Sequence, residues 1–473
     1  MLISFSCENV LSFKEQQYLS MLASNKKKED ILQFNVLDYE YKKDKFLKSA
    51  LIFGANANGK TNFINALSFL RDKVLFSLNE VKKDSGISIS PFLFSQESIK
   101  SPNEFEIEFI SNEIKYRYGL ALEEENILEE WLYYTQSRET LLFHREKDKI
   151  VEKNDNSFKE INIVLEKNIL TRTKESVPLV TVLSALDGEH STNVTDWFSN
   201  LEYMYFTAQE TEFNENLRET LIYWKSNKYF QEWARPLFNA VGIHDIKFNH
   251  VEIKKQNIIN FFDHQLENFD MQSKKIISQV DDLNTAELVN KNTRNIMDSL
   301  LEIIDKTIDD DVTRTSIDLD SLTIVKKFGD LTFDLPFNLE SSGVKKVLYL
   351  INKLYNASFN NAILVIDEFD THFHTLLSEY IFEYFHKTSK SLGQIIVTTH
   401  DTNLIDTNSF RRDQIWFINK NLEGISQLYS LVQYKELAID IADRNYSREY
   451  LRGNFDAIPL FDNIEQIVKL MED

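Results

Sequence analysis

The chain has 473 residues, with 74 acidic against 53 basic side chains and a net charge of −21. That balance argues against a broad nucleic-acid-binding surface, which needs clustered Lys and Arg to displace counterions, although a local basic groove stays compatible with it. Hydrophobic residues make up 42% of the chain, enough for two or three domains with cores of their own.

The opening MLISFSCENVLSF lacks the basic region and long apolar region of a signal peptide. No run reaches the roughly 18 consecutive apolar residues of a membrane span. The single Cys7 leaves no internal disulfide framework and fits a reducing compartment. A cytoplasmic protein with no membrane partner is expected.

In chain order, Leu2 to Cys7 alternates as a strand does. Residues 49–53 (SALIF) form an apolar run ending at Gly54, the mark of a buried strand, and Asn62 to Leu70 has helical spacing. Residues 105–134 read as antiparallel hairpins with a polar turn near Ser111-Asn112, and Leu141 to His144 continues the strand signal. From about residue 190 polar stretches carry apolar residues at helical intervals, as in MDSLLEII and IIDKTI. Strand signals return at LTIVKKF and LTFDLPF, followed by a helix over 344–359 and the buried strands AILVIDEF, IIVTTH and QIWFINK. The expected architecture is an α/β head split by a mostly helical insertion. Residues 1–190 and 323–473 form the head, and 191–322 the insertion.

Four stretches carry chemistry. Gly54-Ala55-Asn56-Ala57-Asn58-Gly59-Lys60-Thr61, continued by Asn62, fits G-x-x-x-x-G-K-[ST] between a strand and a helix. Such a loop wraps a β-phosphate with backbone N–H groups. Lys60 reaches the β- and γ-phosphates, and Thr61 ligates Mg²⁺. Asp367-Glu368 ends a buried strand, as a Walker B element does, with Asp367 on the metal side and Glu368 polarising the attacking water. His400 ends a further buried strand about 30 residues on, where it can contact a γ-phosphate. Glu340-Ser341-Ser342-Gly343 opens a helix just before the Walker B strand. It reads as a simple helix cap or as a signature turn facing the ATP of a second subunit.

Asp370 falls where the D-loop of such dimers lies; Gln96 is placed where a Q-loop glutamine could stand, but its polar, turn-like surroundings make no convincing Q-loop. The neighbouring His372 and His374 invite a zinc reading, but residues i and i+2 of a helix face different ways. No zinc is expected.

With these residues in hand, the chain resembles the prokaryotic ABC-type ATPases, also called AAA ATPases, of the RloA and AbiL abortive-infection group. They are related to the OLD and SMC heads and to the ATPase subunits of PARIS and Septu antiphage systems. GANANGKTNFINAL, ESSGVKK and LVIDEFDTHFH are similar to the group's phosphate loop, signature and Walker B elements. Tyr450-Leu451-Arg452-Gly453-Asn454-Phe455-Asp456-Ala457-Ile458-Pro459 resembles its closing Y-L-x-G-x-x-x-x-I-P segment. Val344 departs from the polar residue common in that signature.

The resemblance implies an ATP- and Mg²⁺-dependent ATPase that forms a homodimer or higher oligomer through an ATP sandwich. In it Lys60, Thr61, Asp367 and Glu368 of one subunit face Ser341 and Gly343 of another. It further implies control of a separately encoded effector, a nuclease, in antiphage defence with a phage-derived trigger. OLD proteins carry a Toprim nuclease domain after the ATPase; none fits before Asp473, so the nuclease is expected on a partner. The rival reading is an SMC-like DNA-maintenance ATPase that binds DNA directly.

Overall fold

The computed structural model describes residues 1–24, 32–79, 88–166, 173–205, 210–253, 314–405, 409–432 and 446–458. The chain divides into two compact units, Met1–Asn216 with Lys346–Asp473, and Leu217–Lys345. The first is therefore split in sequence by the second, with the divisions at Leu217 and Lys345.

The first unit holds two large sheets. Strands β1 (Leu2–Glu8), β2 (Gln17–Ser20), β6 (Asn103–Ser111), β7 (Ile114–Glu123), β8 (Asn126–Thr135), β9 (Glu139–Glu146) and β10 (Lys149–Lys153) pair antiparallel in the order β10-β9-β8-β7-β6-β1-β2. The polar turn expected near Ser111 is a two-residue hairpin. Asn112 (φ 48°) and Glu113 (φ 64°) are both left-handed, as the twist of the flanking strands requires. A small hairpin, β3 (Val36–Tyr41) with β4 (Asp44–Leu47), leads into the other sheet.

That second sheet joins β5 (Ser49–Phe53), β11 (Leu201–Tyr205), β15 (Ile363–Asp367), β16 (Gln394–Thr399), β17 (Ile415–Lys420) and β18 (Ser426–Ser430). Its order is β11-β15-β16-β5-β17-β18, parallel except for β18. Both faces are covered, so β5, β15 and β16 are buried along their whole length.

The phosphate loop leads into α1 (Lys60–Phe76), followed by α2 (Ile161–Glu166), α3 (Leu179–Ser184) and α4 (Glu189–Ser199). Helix α1 buries Phe63, Ile64, Leu67, Leu70 and Val74 in one core with Phe5 and Phe105 of the antiparallel sheet and Val365 and Ile396 of the parallel one. Phe63 lies 5.5 Å from Phe5 and 6.0 Å from Phe13, both edge-on. Full burial of such side chains contributes roughly 1.5–3 kcal/mol each, so the helix that carries Lys60 and Thr61 is anchored from both sides. Val194, Trp197 and Phe198 of α4 join this core, and β11 pairs in register with β15, Leu201 opposite Ile363. That burial puts residues 191–205 in the head.

The described part of the second unit comprises most of α5 (Glu210–Ser226), α6 (Lys228–Ala240) and a sheet of β12 (Asp245–Ile253), β13 (Arg314–Phe328) and β14 (Leu331–Pro336). Asn227 caps α6 by accepting from the Phe230 N–H at 3.0 Å. Phe230, Trp233, Leu237 and Phe238 then recur on one buried face. The strands expected at LTIVKKF and LTFDLPF are β13 and β14, and they fall in this unit; MDSLLEII and IIDKTI lie outside the described residues. The remaining helices are α7 (Ser342–Phe359), α8 (Thr375–Thr388) and α9 (Tyr446–Leu451). Among the described residues no helix is long and apolar enough to cross a membrane.

Candidate nucleotide site

Parallel strands β5, β15 and β16 are neighbours, so their carboxyl ends place Gly54, Asp367 and Thr399 side by side. This edge is where open α/β sheets bind ligands. The loop after β5 turns through Ala57 (φ 64°) and Gly59 (φ 113°) before α1 begins at Lys60. Gly59 is required twice over: its φ is one that side chains rarely adopt, and a Cβ would stand 2.7 Å from the hydroxyls of Ser12 and Ser426. At Gly54 a Cβ would meet the Ile418 carbonyl at 2.5 Å.

The loop is braced from outside. Asn58 Nδ2 donates to the Ile418 carbonyl at 3.1 Å, Ser426 Oγ donates to the Asn58 carbonyl at 2.6 Å, and Asn62 Nδ2 donates to Ser12 Oγ at 2.9 Å. Asn56 and Ala57 are exposed, while Ala55 is buried. The closing segment supports the same wall: Phe455 stacks on Phe417 of β17 at 4.9 Å, and Tyr450 donates to the Ala457 carbonyl at 3.0 Å.

Lys60 is buried and turns back on its own loop, donating to the carbonyls of Gly54 (2.8 Å) and Ala55 (3.1 Å). Burial lowers its pKa to about 8 against the opposing pull of Asp367, Asp370 and Glu368. The Thr61 hydroxyl donates to Asp367 Oδ2 at 2.7 Å. Thr398 Oγ1 donates to the other oxygen, Oδ1, and accepts the Glu368 N–H at 2.8 Å. One hydroxyl thus orients both carboxylate-bearing residues. Glu368 itself is left-handed (φ 53°), a conformation that costs a non-glycine residue on the order of 1–3 kcal/mol.

Asp370 Oδ1 accepts the His400 N–H at 3.0 Å, which ties the turn after β15 to the end of β16. Burial, then Lys60, lower the His400 pKa against the nearby carboxylates. His374 caps α8, its Nδ1 accepting from Leu376 N–H at 3.2 Å, and His372 sits in the preceding turn with φ 66°.

The structure therefore brings together Lys60, Thr61, Asp367, Glu368, Asp370 and His400. Ser341, Ser342 and Gly343 open α7 and belong to the second unit, not to a C-terminal part of the head beginning at residue 323. Ser341 Oγ accepts the Val344 N–H at 3.4 Å, the cap interaction, while Ser341 and Ser342 remain exposed. Gln96 is exposed in a turn ahead of Ser98. Sequence reading missed Ser12, Thr398 and Ser426. Thr398 carried a signal, a hydroxyl two residues before His400 on a fully buried strand; the two serines carried none.

Thr61 and Asp367 are hard oxygen donors, and among the described residues no group of three His, Cys, Asp or Glu side chains converges to cage a metal. Two protein oxygens, completed by phosphate and water, suit Mg²⁺.

No curated protein matches the chain significantly. Among solved structures it is similar to an SMC head domain from Thermotoga maritima, at 12% identity over 91% of this chain and 98% of that one, with a TM-score of 0.36. The Smc head domain of Pyrococcus furiosus bound to the C-terminal domain of ScpA gives 14% identity over 91% and 96%, with a TM-score of 0.34. The family model described as "AAA domain, putative AbiEii toxin, Type IV TA system" matches residues 49–406, from the start of β5 to just past His400. The chain belongs to that family of AAA-type ATPase domains.

Proposed function

We propose that the protein binds and hydrolyses ATP in an ATP sandwich between copies of itself, and that this cycle controls a separately encoded toxic effector in antiphage defence. The observation that carries the catalytic part is the bond from Thr61 to Asp367, which joins phosphate loop and Walker B at one point.

On nucleotide binding Lys60 gives up its loop carbonyls for the β- and γ-phosphates, and α1 directs its N-terminus at the same anion. A Mg²⁺ ion held by Thr61 and Asp367 would neutralise charge developing on the phosphates. Glu368 accepts a proton from the attacking water. The His400 ring donates a hydrogen bond to the γ-phosphate. Ser341 and Gly343 of a second copy complete the site, which makes closure of the dimer dependent on an intact γ-phosphate. The toxin–antitoxin setting in the family's description supports an effector role, as does the resemblance to abortive-infection ATPases.

The test is Glu368→Gln, purified with the products of its neighbouring genes. It should retain ATP, lose turnover about 10²- to 10⁴-fold, and show an ATP-dependent rise in mass with a second protein attached. Normal turnover refutes the catalytic assignment. A particle that retains nucleic acid instead of an effector supports the DNA-maintenance reading.

A further inference from the structure

Lys346 stands five residues into the run that begins with Ser342, on the same helix α7, and its side chain is buried. Its ammonium reaches three carbonyls of the turn that follows β15: Phe369 at 2.6 Å, Thr371 at 2.5 Å and Glu368 at 3.4 Å. It also lies over the Phe373 ring, 4.4 Å from the centroid. An ammonium has three donors, and three carbonyls of one turn surround it.

Packing alone does not call for this arrangement. A Met or Leu at position 346 would fill the same space without the cost of taking a cation out of water. The turn, however, is strained: Glu368 (φ 53°) and His372 (φ 66°) are both left-handed without being glycine. Such a backbone persists only where its surroundings over-determine it. Thr371 N–H donates to the Glu368 carbonyl at 3.1 Å, and Phe373 N–H to that of Asp370 at 3.0 Å, so the carbonyls converge on one side of a tight loop. A cation placed among them relieves their mutual repulsion. The same loop carries Glu368 and, through Asp370, the His400 backbone.

We infer that Lys346 is a positioning residue for ATP hydrolysis, holding the Glu368–Phe373 turn in the strained form that presents Glu368 for catalysis. It sits three residues from Gly343 on the same helix. This inference rests on the hydrolytic reading proposed above.

The test compares wild type with Lys346→Met, which keeps the stem and removes the donors, and Lys346→Arg, which restores a cation with donors. In Lys346→Met, kcat falls about 10- to 100-fold while KM and ATP affinity stay within about threefold. Amides 368–373 exchange faster without nucleotide, and Lys346→Arg recovers part of both. Unchanged turnover, or unchanged exchange at 368–373, overturns the inference. So does a parallel loss of affinity and turnover that Arg fails to restore, the pattern of a packing defect. Should Lys346→Met not fold, Phe373→Leu removes the ring under the cation and should lower kcat about threefold or more; wild-type kcat there overturns the inference. Absent turnover in wild type refutes the hydrolytic reading instead, and the exchange comparison still decides whether Lys346 holds the turn.

Discussion

Two buried carboxylates, Glu130 in the antiparallel sheet and Asp367 at the end of the parallel one, are held in opposite ways. Glu130 is closed: it accepts from the Leu179 N–H (2.7 Å), the Val180 N–H (3.2 Å), the Tyr118 hydroxyl (3.1 Å) and Arg145 Nη1 (3.2 Å). Burial raises its pKa, while Arg145 and the amides at the start of α3 pull it back. Among the described residues, Asp367 is held only by the hydroxyls of Thr61 and Thr398. Hydroxyls rotate and exchange partners, whereas a buried Arg and two helix amides do not. A saturated carboxylate fixes a fold, and one held by two hydroxyls keeps capacity for a ligand.

The largest effects should separate these two roles. Glu130→Ala leaves Arg145 buried without its carboxylate and should cost about 3–5 kcal/mol of stability, read from urea unfolding. Asp367→Asn should leave the unfolding midpoint nearly unchanged, since an amide can still bond both hydroxyls. It should reduce turnover about a thousandfold, roughly 4 kcal/mol of barrier. If Asp367→Asn unfolds as readily as Glu130→Ala, the distinction between the two carboxylates fails.

The same contrast explains what the sequence disclosed. Asp367, Lys60 and His400 were legible because each ends or follows a buried apolar strand, and a fixed spacing announces the phosphate loop. Glu130 was invisible: in Glu129-Glu130-Trp131 nothing marks which carboxylate is exposed and which meets α3, because that depends on packing against residues about fifty positions away. The place of residues 191–205 is hidden for a related reason. Val194, Trp197 and Phe198 have helical spacing, but whether that helix covers the head or leaves it is decided by β11 pairing with β15, more than 150 residues later. Lys346 ends ESSGVKK, yet only the folded turn places three carbonyls around it.

A smaller effect contrasts two glycines with positive φ. Gly59→Ala combines strain with collision against Ser12 and Ser426, whereas Gly242 (φ 73°) has, among the described residues, only Lys326 Nζ nearby, at 3.8 Å. Gly242→Ala should cost about 1 kcal/mol of stability and leave nucleotide affinity unchanged. Gly59→Ala should weaken binding of a fluorescent ATP analogue at least about tenfold, since about 1–3 kcal/mol of strain enters the loop that wraps the phosphates. Equal affinities in the two variants would place the nucleotide away from this loop.

The smallest expected effect lies behind the site, where β5 begins. Ser49 Oγ accepts from Gln414 Nε2 at 2.7 Å and is hydrogen-bonded to His386 Nε2 at 2.9 Å. Burial, then Lys48, lower its pKa to about 3, while Lys48 Nζ donates to the His386 carbonyl at 2.7 Å. The unfolded chain binds a proton at this residue from about pH 6.5 downward, and the folded one only near pH 3. Stability from the neutral ring is thus complete above pH 6.5 and is lost as pH falls between those values, by about 1 kcal/mol from pH 7 to pH 5.5. His386→Gln cannot titrate, so its stability should fall less steeply over that interval even if it is lower at pH 7. Matched urea titrations at pH 7 and 5.5 measure the difference; parallel losses in both proteins would mean that the His386 ring charges without leaving the fold.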